Sequence, residues 1–283
     1  MASAHRPRSQ QTLSRCVRVA GVGYWSGQPV TLECRPAPAE TGVVFVRTDR
    51  RPHVRLPLSV SRRVDAAART NLAVGGAGVE MVEHVASALA GLGIDCCEIH
   101  VDAGELPGLD GSAMPYVEAF DAGGIEGLGA PLRPIVVRKT VRVEEGDAWI
   151  EASPPTHDGL TVDYTLEHEH PAIGTQRVVL DVSPQSFREQ LAAARTFVTT
   201  EEAERLNAAG LGRHVTRADL LVFGDAGLEG NTLRWADECA RHKALDLVGD
   251  LFLAGRPVRA VVRACRSGHR LNARLVRYLL ALG

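Results

Sequence analysis

Two histidines, two aspartates and a glutamate stand at spacings that suit a metal ion and a proton-handling base. His242 and Asp246 are four residues apart within Asp237 to Ala254, the longest stretch of helical periodicity. That spacing stacks both side chains on one helix face, one turn apart, where they can share an ion. Asp250 is one further turn along the same face. Glu83-His84 opens a second helical stretch, Val82 to Leu92, in which Val85, Ala88, Leu89 and Leu92 share a face and Gly93 is the stop. Adjacent residues point to different sides, so at most one of the Glu83-His84 pair touches the same ion. Taken singly, His242 with Asp246 reads more readily as a surface ion pair, and Glu83-His84 as an N-terminal carboxylate beside an ordinary helix histidine. Ser267-Gly268-His269, in a turn between strand and helix, and Arg195-Thr196-Phe197, just after a helix, occupy places where functional residues concentrate.

The elements that must carry these residues follow from period and punctuation. Strands are expected over Thr12 to Val19, Pro29 to Cys34, Gly42 to Val46 and Cys97 to Val101, with a helix at Met114 to Ala122. Gly123 to Pro134 is rich in Gly and Pro and marks a linker, placed at 126–132. The pattern then restarts. Strands are expected at Ile135 to Val143, Ala148 to Ala152, Leu160 to Leu166, Leu220 to Phe223 and Val258 to Cys265. Helices are expected at Pro184 to Ala193, capped by Ser183, at Thr200 to Ala208 and at Leu271 to Leu282. His84, Ala86, Leu89 and Gly91 match His242, Ala244, Leu247 and Gly249 at a constant offset. With the restarting sheets, this repeat favours two similar α/β domains, 11–125 and 133–283, after a disordered start at 1–10.

Composition sets outer bounds. The 283 residues are 45% hydrophobic and 23% charged, with a formal net charge of −2. Such a chain buries a core without staples and is not built to coat nucleic acid or an anionic membrane. No run of about 20 apolar residues suggests a membrane span. Six cysteines without a CxxC pair read as reduced thiols in a reducing compartment. After Asp250 no acidic residue follows, whereas Arg256, Arg259, Arg263, Arg266, Arg270, Arg274 and Arg277 do. These form a solvated basic face, or in part a guide for an anionic substrate.

Several motifs occur in a fixed order. They are Val82-Glu83-His84 with Ala88-Leu89-Ala90-Gly91-Leu92-Gly93-Ile94, Leu109-Asp110-Gly111-Ser112-Ala113, Ala194-Arg195-Thr196-Phe197, Arg241-His242-Lys243-Ala244-Leu245-Asp246 running on to Gly249-Asp250-Leu251, and Ser267-Gly268-His269 with Leu271-Asn272. From about Gln11 to about Leu280 the chain resembles the UDP-3-O-acyl-N-acetylglucosamine deacetylases, zinc enzymes of lipid A biosynthesis. The resemblance implies an α+β fold of two similar domains. Each would be a small, mostly antiparallel sheet with two helices packed on one face, and the active site would lie between them.

It also implies roles. His84, His242 and Asp246 would hold one Zn2+ per chain, with iron(II) as the other candidate, and leave a place for an activated water. Glu83 would be the general base. Thr196 would help stabilise the oxyanion, and a protonated His269, oriented by Asp250, would serve the leaving amine. Lys243, Phe197, His168 and Arg266 would meet the acylated UDP-N-acetylglucosamine substrate, and Asp110 would support the site from behind. No nucleic acid, integral membrane segment or obligate protein partner is expected, and the bacterial cytoplasm is the expected compartment.

The chain departs from the family where substrate is met. Trp25 stands for a histidine in Gly23-Tyr24-Trp25-Ser26-Gly27, and Ala148 for a frequent lysine. His168-Glu169 stands for Phe-Asn, Arg213-His214-Val215 for Gly-Gly-Ser, and Met81 for Thr. Two other readings stand beside deacetylation of the usual substrate: a zinc amidase acting on a different N-acylated nucleotide-sugar, and a non-catalytic binding module.

Overall fold

The computed structural model describes residues 8–282. Residues 1–7, part of the expected disordered start, lie outside the described residues. Ser9 and Gln10 already belong to a strand, Ser9–Leu13.

Two sheets dominate, and they share one strand order. In the first, Val17–Val22, Pro29–Pro36, Cys97–Val101, Val43–Arg47 and Val54–Pro57 lie side by side in that sequence. In the second, the order is Val141–Glu145, Ala148–Ser153, Val258–Cys265, Leu160–Glu167 and Thr175–Val182. Each contains a parallel pair, Val43–Arg47 with Cys97–Val101 and Leu160–Glu167 with Val258–Cys265, and in the second the short strand Ile135–Val136 also lies parallel to Val258–Cys265. A parallel pair needs a crossover, which usually contains a helix. In the first half that helix is α1 (Glu83–Leu92), followed after the sheet by α2 (Met114–Gly123). The second half inserts α3 (Pro184–Gln190) and α4 (Thr200–Ala208), crosses over through α5 (Glu238–Phe252) and ends with α6 (His269–Leu282). The expected α+β fold of paired sheet-and-helix layers is what the structure has. The faint repeat between α1 and α5 follows from their shared place in that topology.

The helix layers face each other, with α1 packed along α5. Nine of the ten α1 residues are buried, so Ala, Leu and Val fill the space between the sheets. Gly249 sits inside α5, where glycine costs about 1 kcal/mol against alanine. The reason is proximity: a methyl group there would overlap the Glu83 carbonyl and come 3.1 Å from the Ser87 nitrogen. Ser87 Oγ donates to the Leu245 carbonyl at 2.8 Å, locking the crossing. Gly93 ends α1 in the left-handed conformation at φ 76, as its position predicts.

Several expectations are revised. Residues 126–131 of the expected linker lie in a strand, Ile125–Pro131, paired antiparallel with Ser9–Leu13. Its glycines fit because none of its residues is buried. Thr12 to Val19 and Ile135 to Val143 each break into two strands, at Ser14–Cys16 and at Val137–Thr140. Thr175–Val182, which the pattern does not reveal, buries only Val178 and Leu180 while Val179 stays exposed on an outer strand. No helix of the described residues is long and apolar enough to cross a membrane.

Candidate metal centre and active site

The crossing of α1 and α5 brings the two donor pairs together. His84 Nε2 lies 3.7 Å, and His242 Nε2 3.6 Å, from Asp246 Oδ1. One ligand atom from each of the three residues falls within 4.8 Å of the others, and all three side chains are buried. Asp246 Oδ1 has no hydrogen-bond partner, although an orphaned buried carboxylate oxygen is costly. Its other oxygen accepts from Lys243 Nζ at 2.9 Å.

Protonation states match. Burial holds both imidazoles below their ordinary pKa, His84 at about 3 with His242 adding to the shift, which favours the neutral form that a metal ligand requires. Burial opposes charge on Asp246, yet the cationic Lys243 and His269 pull the other way and its carboxyl stands below the usual carboxylate range. The Ala194 carbonyl lies 3.1 Å from His242 Nδ1, which assigns the proton to Nδ1 and leaves the Nε2 lone pair toward Asp246. Two neutral imidazoles and one unpartnered carboxylate oxygen are a donor set for one divalent cation, and the residues present fit one.

Glu83 opens α1 without a side-chain cap ahead of it. Burial pushes its carboxyl up to about 7, moderated by His269 and reinforced by Asp246. That is a pKa suited to a base working near neutrality. The Thr70 N–H donates to Glu83 Oε2 at 3.0 Å, while the Thr70 hydroxyl donates to Asp250 Oδ1 at 2.7 Å. Thr70 therefore joins two functional carboxylates, although no spacing in the sequence marks it. Asp250 Oδ2 accepts from His269 Nδ1 at 2.8 Å and from Asn272 at 2.9 Å. Burial works against charge on His269, but Asp250, then Asp246 and Glu83, raise it to about 9. His269 is the first residue of α6 rather than part of the preceding turn.

The remaining expected residues surround this centre. Thr196 Oγ lies 3.0 Å from the Gly111 carbonyl and 3.2 Å from His242 Nε2. The Phe197 ring is 6.4 Å from that of His242 and 6.1 Å from that of His168, and Lys243 Nζ stands 5.8 Å over it. Arg266 lines a cavity of about 350 Å³ together with Lys243, His269, Ala148 and Ala68. Asp110 is set apart from the donors. It bonds Ser112 and Arg234, which keeps it below the usual carboxylate range against the effect of burial. Arg213 Nε donates to the Asn207 carbonyl, whereas Trp25 lies beneath the Arg69 guanidinium.

The basic tail is mostly answered by acids that sequence distance conceals. Arg259 meets Asp158, Arg263 meets Asp163, and Arg270 and Arg274 meet Glu145. Arg266 has no such partner among the described residues. Met81, Leu109 and Arg266 have φ of 61, 54 and 54, and each stands within two residues of a functional segment. Strain of about 1–3 kcal/mol at such positions is characteristic of sites held to a required geometry.

A family model described as UDP-3-O-acyl N-acetylglycosamine deacetylase matches residues 10–281. Similar proteins carry the name UDP-3-O-acyl-N-acetylglucosamine deacetylase. One from Pasteurella multocida is 42% identical over 276 residues, covering 96% of this chain and 90% of that protein. Another, from Anaeromyxobacter sp., is 40% identical and covers 96% and 89%. A third, from Pseudoalteromonas atlantica, is 39% identical and covers 96% and 90%.

Proposed function

The chain belongs to the UDP-3-O-acyl N-acetylglycosamine deacetylase family, and from that premise we propose that it removes the acetyl group of UDP-3-O-(3-hydroxyacyl)-N-acetylglucosamine in lipid A biosynthesis. The observation that carries the reading is the buried set His84, His242 and Asp246 with Asp246 Oδ1 unpartnered, beside a glutamate whose pKa stands at about 7. These three residues would hold the ion, zinc by preference for a His2Asp set and iron(II) as its rival. When bound, the ion supplies Lewis-acid charge and lowers the pKa of a water toward roughly 7.

The chain's own groups do the rest. Glu83 takes the proton of the water that attacks the acetamide carbon, since it is the one carboxylate here poised near neutrality. Thr196 turns its hydroxyl from the Gly111 carbonyl toward the developing oxyanion. His269, kept charged by Asp250, gives its proton to the nitrogen as the C–N bond breaks, releasing acetate and a free amine. Lys243, Phe197, His168 and Arg266 bind the nucleotide-sugar around the reacting group. Thr196 and Phe197 follow α3, and His242 and Asp246 lie on α5, so the second half supplies them while the first supplies Glu83 and His84. We place the two domains at 11–125 and 133–283, joined through 126–132, and the protein in the bacterial cytoplasm, where a nucleotide-sugar is at hand.

Hydrolysis of that substrate by the zinc-reconstituted protein, beside Glu83→Ala, tests the reading. Acetate release by the parent and its collapse in the variant are expected. A folded, zinc-loaded parent that releases none would shift the assignment to another N-acylated nucleotide-sugar, in keeping with Trp25, Ala148, His168 and Arg213.

A further inference from the structure

We propose that the buried Arg195–Glu238 ion pair is a positioning element that sets His242 and Thr196 for the metal and, through Arg234 and Asp110, ties that setting to the other half of the molecule. The inference rests on the reading of His242 as a metal ligand.

Glu238 is the first residue of α5, one turn ahead of His242, and is 0% exposed. Its carboxylate accepts from Arg195 Nε at 2.8 Å, Arg195 Nη2 at 3.2 Å, the Arg195 N–H at 3.2 Å and the Arg234 N–H at 2.6 Å. Arg195 is itself buried and spends its other donors on Asn231 Oδ1 and the Thr232 carbonyl. The residues on either side of it both address His242. The Ala194 carbonyl meets Nδ1, and Thr196 Oγ stands 3.2 Å from Nε2. The three-residue segment is pinned at its centre to the very helix whose histidine it orients.

A second tie crosses between the halves. Arg234 donates to the Ala193 carbonyl at 2.6 Å and to Asp110 at 3.0 Å. Asp110 holds the turn whose Gly111 carbonyl accepts from the Thr196 N–H at 2.8 Å. A shift of 194–196 along α5 would turn the His242 ring and carry the Thr196 hydroxyl with it.

A buried ion pair is a poor device for stability alone, because apolar residues of similar volume often serve as well or better. Its bonds are directional, and direction is what a ligand-orienting carbonyl requires. Partners behind metal ligands govern affinity as well as orientation.

The test uses the full chain and zinc in competition with a chromophoric chelator, together with melting of the metal-free protein. Arg195→Ala would strand the Glu238 carboxylate, so the informative variant is Arg195→Met with Glu238→Gln. The two backbone N–H groups meet different oxygens of Glu238, so the glutamine keeps an acceptor for the shorter bond, from the Arg234 N–H, and gives up the other, while the methionine needs no counter-charge. The double variant is expected to fold with a modestly lowered melting temperature and to bind zinc about 10–100-fold more weakly. Arg195→Lys, which keeps the charge but loses the forked geometry, is expected to fall between them, and it carries the test if the double variant does not fold. Parental zinc affinity in a folded variant, with only the melting temperature lowered, would reduce the pair to a structural anchor and overturn the proposal. A parent that binds no zinc, or a His242→Ala variant that binds it as tightly as the parent, would defeat the metal reading first and this proposal with it.

Discussion

The crossing of α1 and α5 and the mouth above it are built on opposite terms. At the crossing, Glu83, His84, His242, Asp246, Asp250 and His269 are all buried and all on helices. At the mouth, His168 and Phe197 are only partly buried, and Arg266 is exposed on a connecting segment. Groups that move protons or hold an ion need fixed distances and a dry setting that shifts their pKa values, and packed helices supply both. Groups that grip the rest of a substrate can tolerate loops. Apart from the buried Met81, which stands just ahead of α1, the departures from the family motifs lie outside the crossing, and the residues proposed to react there match the motifs throughout.

Five substitutions would break or sharpen that contrast. Glu83→Ala should cut kcat by about 100–10,000-fold. Zinc content should stay at the parental level, because the three donors remain; acetate release and metal analysis check both.

Asp250→Asn removes the group that holds His269 charged. The parent should lose activity as pH rises through about 9, where His269 gives up its proton. In the variant that alkaline limb should fall toward about 6.5, the ordinary histidine value. The acidic limb should track Glu83, at about 7 without metal and lower once a dication stands beside it. A pH–rate profile with an unmoved alkaline limb would remove His269 from its role.

Gly249→Ala should destabilise the protein by about 1–3 kcal/mol, because the new methyl group meets backbone rather than a side chain that can swing away. Thermal melting checks it, and a parental transition would mean the helices part without cost. The smallest effects belong at the mouth. Arg266→Glu and His168→Phe should change KM by about tenfold or less, the range of a single contact, and leave kcat within about twofold. A large loss of kcat in either would place that residue at the crossing in function if not in space.

Spacing along one helix was readable from the sequence, and so were caps and stops: the His242–Asp246 turn, the Gly93 stop and the Ser183 cap all stand where the pattern puts them. Bringing Glu83-His84 to that turn depended on the resemblance, since no local rule fixes how two helices 158 residues apart along the chain cross. Thr70 and Glu238 went unnoticed for the same reason. Their work is done through bonds to residues 180 and 43 positions away. Glu145 and Asp158 likewise neutralise a tail that reads as purely basic, across a sheet that the one-dimensional pattern cannot fold.

The two crossover helices also hold matching places in the two halves. His84 and Gly91 stand 158 residues before His242 and Gly249. Yet at the same offset Ala88 faces Asp246, Leu92 faces Asp250 and Glu83 faces Arg241. The glycines differ in use as well, one admitting the Phe187 ring and the other the start of α1. A true two-fold axis through the site would set like beside like, with no distinction between the side that takes a proton and the side that gives one. The difference between these two helices would make the joint between the halves chemically directional.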